Sequence, residues 1–70
     1  MNIDLLIEKI NASGYTRKSI ALKMGITPNS LKNKLSGRSK FNYLEIVNIT
    51  RILRLDQKDY LDIFLPGEFT

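Results

Sequence analysis

Cysteine and histidine are both absent from the 70 residues of this chain. Without cysteine there is no disulfide and no thiolate–metal staple, which fits a reducing compartment. Without histidine the commonest metal ligand and the commonest neutral-pH general base are also missing. Glycine and proline are scarce, at four and two, and no low-complexity stretch, repeat or linker divides the chain. Long hydrophobic runs are lacking too: the longest are three residues, as in Leu5-Leu6-Ile7. A membrane span needs roughly 20. The opening Met1-Asn2-Ile3-Asp4 carries an acid where a signal peptide carries basic residues. The expectation is a cytoplasmic protein of one domain, residues 1–70, with no cofactor, no metal, no membrane partner and no small-molecule substrate.

A chain of this length buries only roughly 60% of the surface its unfolded form exposes. Stability therefore has to come from packing, and 43% of the residues are hydrophobic, mostly Ile and Leu. The net charge is +4, but its distribution says more. Residues 17–44 contain no acid at all, and hold Arg17, Lys18, Lys23, Lys32, Lys34, Arg38 and Lys40. The segments on either side are each mildly acidic. A surface meant only to be solvated intersperses both signs, whereas a segregated basic segment suits a polyanion.

Apolar residues recur at helical spacing, and turn signals divide the chain into about five short helices. The fold class expected is all-α, a compact bundle. The first helix runs from about Asn2 to Ser13, with Ile3, Leu6, Ile7 and Ile10 on one face, and Gly14 ends it. Thr16 caps a second helix carrying Ile20, Ala21 and Met24, which Gly25 closes. Thr27-Pro28 starts a third, with Thr as N-cap and Pro at the first helical position. It runs to about Ser36, and Gly37 stops it. Arg38 to Phe41 make a basic loop. Asn42, with Glu45 three residues on, reads as a capping box opening a fourth helix whose inner face is Ile46, Ile49, Thr50 and Leu53. Asp56 caps a fifth, with Tyr60, Ile63 and Phe64, ending before Pro66-Gly67. No segment alternates with a period of two, so no sheet is expected.

The window from Arg17 to Ser36 carries the functional signal. Two helices of about eight residues meet at Gly25, with only Ile26 and Thr27 to turn the chain. Such a turn favours a residue tolerant of positive φ, and the close approach of two helices favours a small residue one helical turn earlier, here Ala21. Ile20, Met24, Ile26, Leu31 and Leu35 supply the shared interior. These offsets describe a helix-turn-helix over about residues 16–37. With Leu31 and Leu35 inward, the 100° step per residue turns Asn29, Asn33 and Ser36 outward, with Lys32 beside them and Pro28 at the edge. Asparagine pairs bidentately with adenine, lysine donates to guanine acceptors, and serine serves either role. Pro28 offers an apolar contact to a thymine methyl. Thr16, Arg17 and Lys18 at the start of the second helix would face one phosphate backbone, and Arg38, Ser39 and Lys40 the other. Lys23 and Lys34 are either further backbone contacts or simply solvated.

The stretch from Thr16 to Gly37, with Ser30-Leu31 and Lys34-Leu35-Ser36-Gly37 in its second helix, resembles the Cro/C1 (lambda-repressor-like) helix-turn-helix family. The resemblance covers essentially the whole chain and is nearest to short phage-encoded Cro-like repressors. It implies a five-helix domain that binds double-stranded DNA and regulates transcription. It also implies base readout by Pro28, Asn29, Lys32 and Asn33, and phosphate contact by Arg17, Ser30 and the Arg38–Lys40 loop. Many members of the family have an apolar residue where this chain has Lys34, and Leu35 takes the apolar role here.

Plainer readings stand beside these. Asn29, Lys32 and Asn33 also fit a solvated helix face, and Arg38 to Lys40 a polar loop. Tyr43, Val47, Leu61, Leu65 and Phe69 add more apolar surface than a small monomer needs. They suit a homodimer or partner-repressor surface, or else a C-terminal tail folded back on the core. The alternative function is a helix-turn-helix interaction module that acts by binding a partner repressor or a toxin. An enzyme is disfavoured, because the carboxylates sit at helix starts where capping explains them. RNA binding lacks the exposed aromatic platform that single strands need.

Overall fold

The computed structural model describes residues 1–65, and every one of its elements is helical. In chain order they are α1 (Ile3–Ser13), α2 (Arg17–Met24), α3 (Pro28–Leu35), α4 (Tyr43–Leu53) and α5 (Gln57–Phe64). This is the all-α bundle of five short helices that the turn signals predict, with no strand among the described residues.

Each helix starts where a side-chain oxygen satisfies a backbone N–H of the first turn. Thr16 Oγ1 accepts from the Ser19 N–H at 3.0 Å and Thr27 Oγ1 from the Ser30 N–H at 3.1 Å. Asn42 Oδ1 accepts from the Glu45 N–H at 2.8 Å while Glu45 Oε1 accepts from the Asn42 N–H at 2.9 Å, closing the expected capping box. Asp56 caps α5 through the Asp59 N–H, and Asn2 caps α1 through the Leu5 N–H.

Helix ends follow the glycines less strictly. Gly14 and Gly25 end α1 and α2 in the left-handed conformation. α3 stops at Leu35, one residue before the expected end, with Ser36 as its cap. α4 ends without any glycine: Arg54 itself takes the left-handed conformation, at φ 52°. Its N–H donates to the Arg51 carbonyl and the Leu55 N–H to the Thr50 carbonyl, so the orphan carbonyls of the last turn are used. An L residue there is strained by roughly 1–2 kcal/mol.

The core draws on every helix. Leu6, Ile10, Ile20, Ala21, Leu31, Ile49 and Ile63 are essentially inaccessible to solvent, and Met24, Leu35 and Phe64 nearly so. Helix α2 is the central element, packed against α3 and α4, while α1 packs against α4 and α5. Arg38 to Phe41 form a loop as expected, and Phe41 at its end is buried in the core, so only Arg38 to Lys40 of that loop face solvent. Leu65, for which the sequence leaves a partner surface and a folded-back tail both open, packs partly buried against the core. Phe69 lies outside the described residues.

Polar fastenings at the surface are few. Lys9 pairs with Asp59 across α1 and α5 at 3.1 Å, and Lys58 with Asp62 within α5 at 3.1 Å. The hydrogen bond from Lys58 to Asp62, with the Asp62 charge, raises the Lys58 ammonium above its ordinary value. Among the described residues no helix is long and apolar enough to cross a membrane.

Candidate nucleic-acid interface

Helices α2 and α3 stand at the centre of the candidate site. They are joined by Gly25, Ile26 and Thr27 alone, and the turn works because Gly25 adopts φ 75°. From there the Gly25 N–H donates to the Leu22 carbonyl at 3.1 Å and the Ile26 N–H to the Ala21 carbonyl at 3.0 Å. Ala21 is wholly buried and Ile26 packs against the core, as do Ile20, Met24, Leu31 and Leu35. The small residue, the glycine and the flanking apolar positions therefore occupy the places that their spacing predicts.

Burial of Leu31 and Leu35 fixes the rotation of α3 about its own axis. Pro28, Asn29 and Lys32 are exposed, as is Ser36 at the C-terminal cap. Asn33 is only half-exposed, and its carbonyl is the hub of the following loop. That one oxygen accepts from the Arg38 N–H at 3.0 Å, the Ser39 N–H at 3.2 Å and Ser36 Oγ at 3.0 Å. The Ser36 hydroxyl proton is thus engaged locally, leaving its oxygen as an acceptor only. Ser30 is half-buried in the first turn of α3, and its N–H belongs to the Thr27 cap.

The flanking cations separate into two kinds. Arg17 and Lys18 in the first turn of α2, Lys32 on α3, and Arg38 and Lys40 in the loop are exposed and form no ion pair among the described residues. Lys23 lies over the Tyr15 ring, its Nζ 5.2 Å from the centroid, so a cation–π contact holds it. Lys34 is tucked in: its side chain is only 11% exposed and its Nζ lies 3.1 Å from Glu45 Oε1. The same Nζ donates to the Lys40 carbonyl at 3.2 Å. Lys34 is therefore neither a solvated side chain nor free for a phosphate.

The loop is brought onto the C-terminal turn of α3, so Asn33, Ser36, Arg38 and Ser39 form one connected group. Thr16, Arg17 and Lys18 form a second group on α2, with Thr16 Oγ1 already accepting in its cap. Sequence reasoning missed Lys34–Glu45 because the two residues lie eleven apart on different helices, and missed Phe41 because a lone aromatic among polar residues has no period to reveal it. Among the described residues no group of three or more His, Cys, Asp or Glu is placed to hold a metal ion.

Of the apolar residues expected to face a partner, Tyr43 is 74% exposed, while Val47, Leu61 and Leu65 are half-buried. Tyr43 and Val47 border an open groove of about 410 Å³ between α4 and α5, which Leu55 and Tyr60 also line. Leu44 and Leu22, neither expected at the surface, are each 69% exposed.

No protein-family model matches this chain, and neither a curated protein nor a solved structure does.

Proposed function

We propose that this chain is a sequence-specific, double-stranded DNA-binding regulator of transcription. In this reading α2 and α3 act as a helix-turn-helix and α3 enters the major groove, as the resemblance to Cro-like repressors implies. The observation that carries the reading is the pairing of an acid-free basic segment with an outward α3 face of Pro28, Asn29 and Lys32. An exposed face with amide and ammonium groups suits base edges, and no carboxylate on it repels phosphate. Arg17 and Lys18 contact one strand's backbone and Arg38, Ser39 and Lys40 the other's, with Asn33 and Ser36 near the base edges between them. The protein works in the bacterial cytoplasm as a phage-type repressor, paired on DNA as a homodimer.

A second reading is favoured by the exposure of Tyr43 at the α4–α5 groove and of Leu44, its neighbour in sequence. On that reading the bundle acts mainly by binding another protein, a partner repressor or a toxin, and DNA contact is secondary.

Selection of bound duplexes from a random DNA pool at about 150 mM salt, near the physiological range, decides between them. An enriched palindrome with half-sites one helical turn, about 34 Å, apart supports a dimeric repressor. A single enriched half-site supports a monomer. Weak, salt-sensitive binding without enrichment favours the protein-binding module.

A further inference from the structure

We infer that Lys34 and Glu45 form a positioning clasp that holds the Arg38–Lys40 loop in its binding shape, and that Lys34 itself touches no DNA. The functional half of this inference rests on the duplex-binding reading above; the structural half does not.

The loop between α3 and α4 is anchored at two points. Its first half hangs from α3 through the Asn33 carbonyl, which takes the Arg38 and Ser39 amides. Its second half is held by Lys34, whose Nζ donates to the Lys40 carbonyl at 3.2 Å. Lys34 can serve as that anchor because Glu45 fixes the ammonium from the other side, at 3.1 Å. Glu45 is in turn fixed by the Asn42 N–H, at 2.9 Å, within the capping box of α4. The chain of bonds therefore runs from α3 through an ion pair to the first turn of α4, with the loop carbonyl bonded at its middle. Both side chains are mostly covered, at 11% and 12% exposure, so water competes for them less than for a fully exposed pair.

The loop has little else to hold it. Arg38, Ser39 and Lys40 are all exposed, and only Phe41 at its end is buried. Two phosphate-binding cations on such a segment bind well only if the segment is ordered beforehand, since ordering it on binding subtracts from affinity. Stability and positioning separate here. Lys34 and Glu45 are only partly buried, and an ion pair that is not fully desolvated usually contributes little to stability, while the Lys40 carbonyl, on an exposed residue, turns to water.

The double substitution Lys34→Met with Glu45→Gln tests this. It leaves the net charge unchanged, fills the space of Lys34 with an unbranched side chain, and keeps the capping box, because Gln serves as well as Glu at that position. The expected result is a protein that unfolds at nearly the same urea midpoint as wild type. Its Arg38 and Ser39 amides exchange with solvent faster, by about tenfold or more. On duplex DNA the slope of log affinity against log salt falls by about one to two, roughly 0.9 for each phosphate that the loop no longer neutralises, whereas base preference is retained. The single substitution Lys34→Arg, which keeps a donor and a charge, should retain most of the wild-type slope.

Unchanged amide exchange in the double variant overturns the clasp, whatever happens on DNA. Faster exchange with an unchanged salt slope overturns its role in binding. If wild-type protein fails to bind any duplex, the DNA reading falls, and the amide exchange of the double variant still decides whether the clasp orders the loop.

Discussion

The backbone N–H of Asn2 donates to the carbonyl oxygen of Ile63 at 2.6 Å, joining the start of α1 to the last turn of α5. The same residue caps α1, since Asn2 Oδ1 accepts from the Leu5 N–H at 3.1 Å. One side chain and one amide thus fix the first helix both internally and against the last. Ile63 is fully buried below them, so the bond closes the bundle over its core.

Asn2→Ala should therefore lower stability by about 1 kcal/mol through loss of the cap, which for a domain of this size lowers the melting temperature by roughly 4–8 °C. Asn2→Asp keeps an acceptor at the cap and should melt close to wild type. Thermal unfolding followed by circular dichroism reads both. Equal losses in the two variants would mean that the cap contributes nothing and that the side chain acts in another way.

The two left-handed residues that end α2 and α4 predict opposite outcomes for opposite substitutions. Gly25 has open space where a Cβ would be, so Gly25→Ala meets no clash and costs only the backbone strain, on the order of 1 kcal/mol. Arg54 already bears that strain at φ 52°. Arg54→Gly relieves it while freeing the unfolded chain somewhat, and a net gain on the order of 0.5 kcal/mol is expected in urea unfolding. A loss at Arg54 would show that its side chain contributes more than its backbone costs.

Much of this fold is legible because its signals are local. Thr16, Thr27, Asn42 and Asp56 each stand directly before an apolar periodic run, and each accepts the hydrogen bond that its position predicts. Gly25 and Ala21 are equally readable, because a turn of three residues and a close helix approach leave few alternatives. What escaped is non-local. Lys34 looks like a solvated lysine until Glu45 is brought to it by the packing of the bundle, and Phe41 looks like loop until the loop folds inward. Arg54 escaped for another reason: no glycine marks the end of α4, and the strain is outweighed by the packing on both sides of it. At the candidate interface the outward set Pro28, Asn29 and Lys32 follows from helix period alone. The local engagement of Ser36 and Asn33 depends on the loop returning to α3, which no pattern in the sequence encodes.

Neighbouring positions on α2 should respond in contrasting ways. Ala21 is completely buried at the helix that packs against both α3 and α4, so Ala21→Leu forces those helices apart at a cost of about 1–3 kcal/mol or more. Leu22, 69% exposed, touches little, and Leu22→Ala should stay within about 0.5 kcal/mol of wild type. Urea midpoints measured side by side check this pair. A tolerant Ala21 would mean that α2 and α3 are not in close approach, which would weaken the case for a helix-turn-helix.

The sharpest functional contrast is between Asn29 and Arg38. Asn29 is exposed on the outward face of α3; if it reads a base edge as proposed, Asn29→Ala should cost roughly 1–3 kcal/mol on the preferred duplex while losing little on others. Specificity at one base pair should relax accordingly. Arg38 stands on the loop held by the Asn33 carbonyl, where the proposed duplex-binding reading has it meet phosphate and not bases. Arg38→Ala should weaken all duplexes alike and reduce the salt slope by about 0.9. Titration of each variant against the selected site and a scrambled one, at two salt concentrations, separates the two behaviours. If both variants lost affinity equally on both sequences, α3 would be holding the backbone as the loop does, and the base-reading role would have to move elsewhere on the basic face.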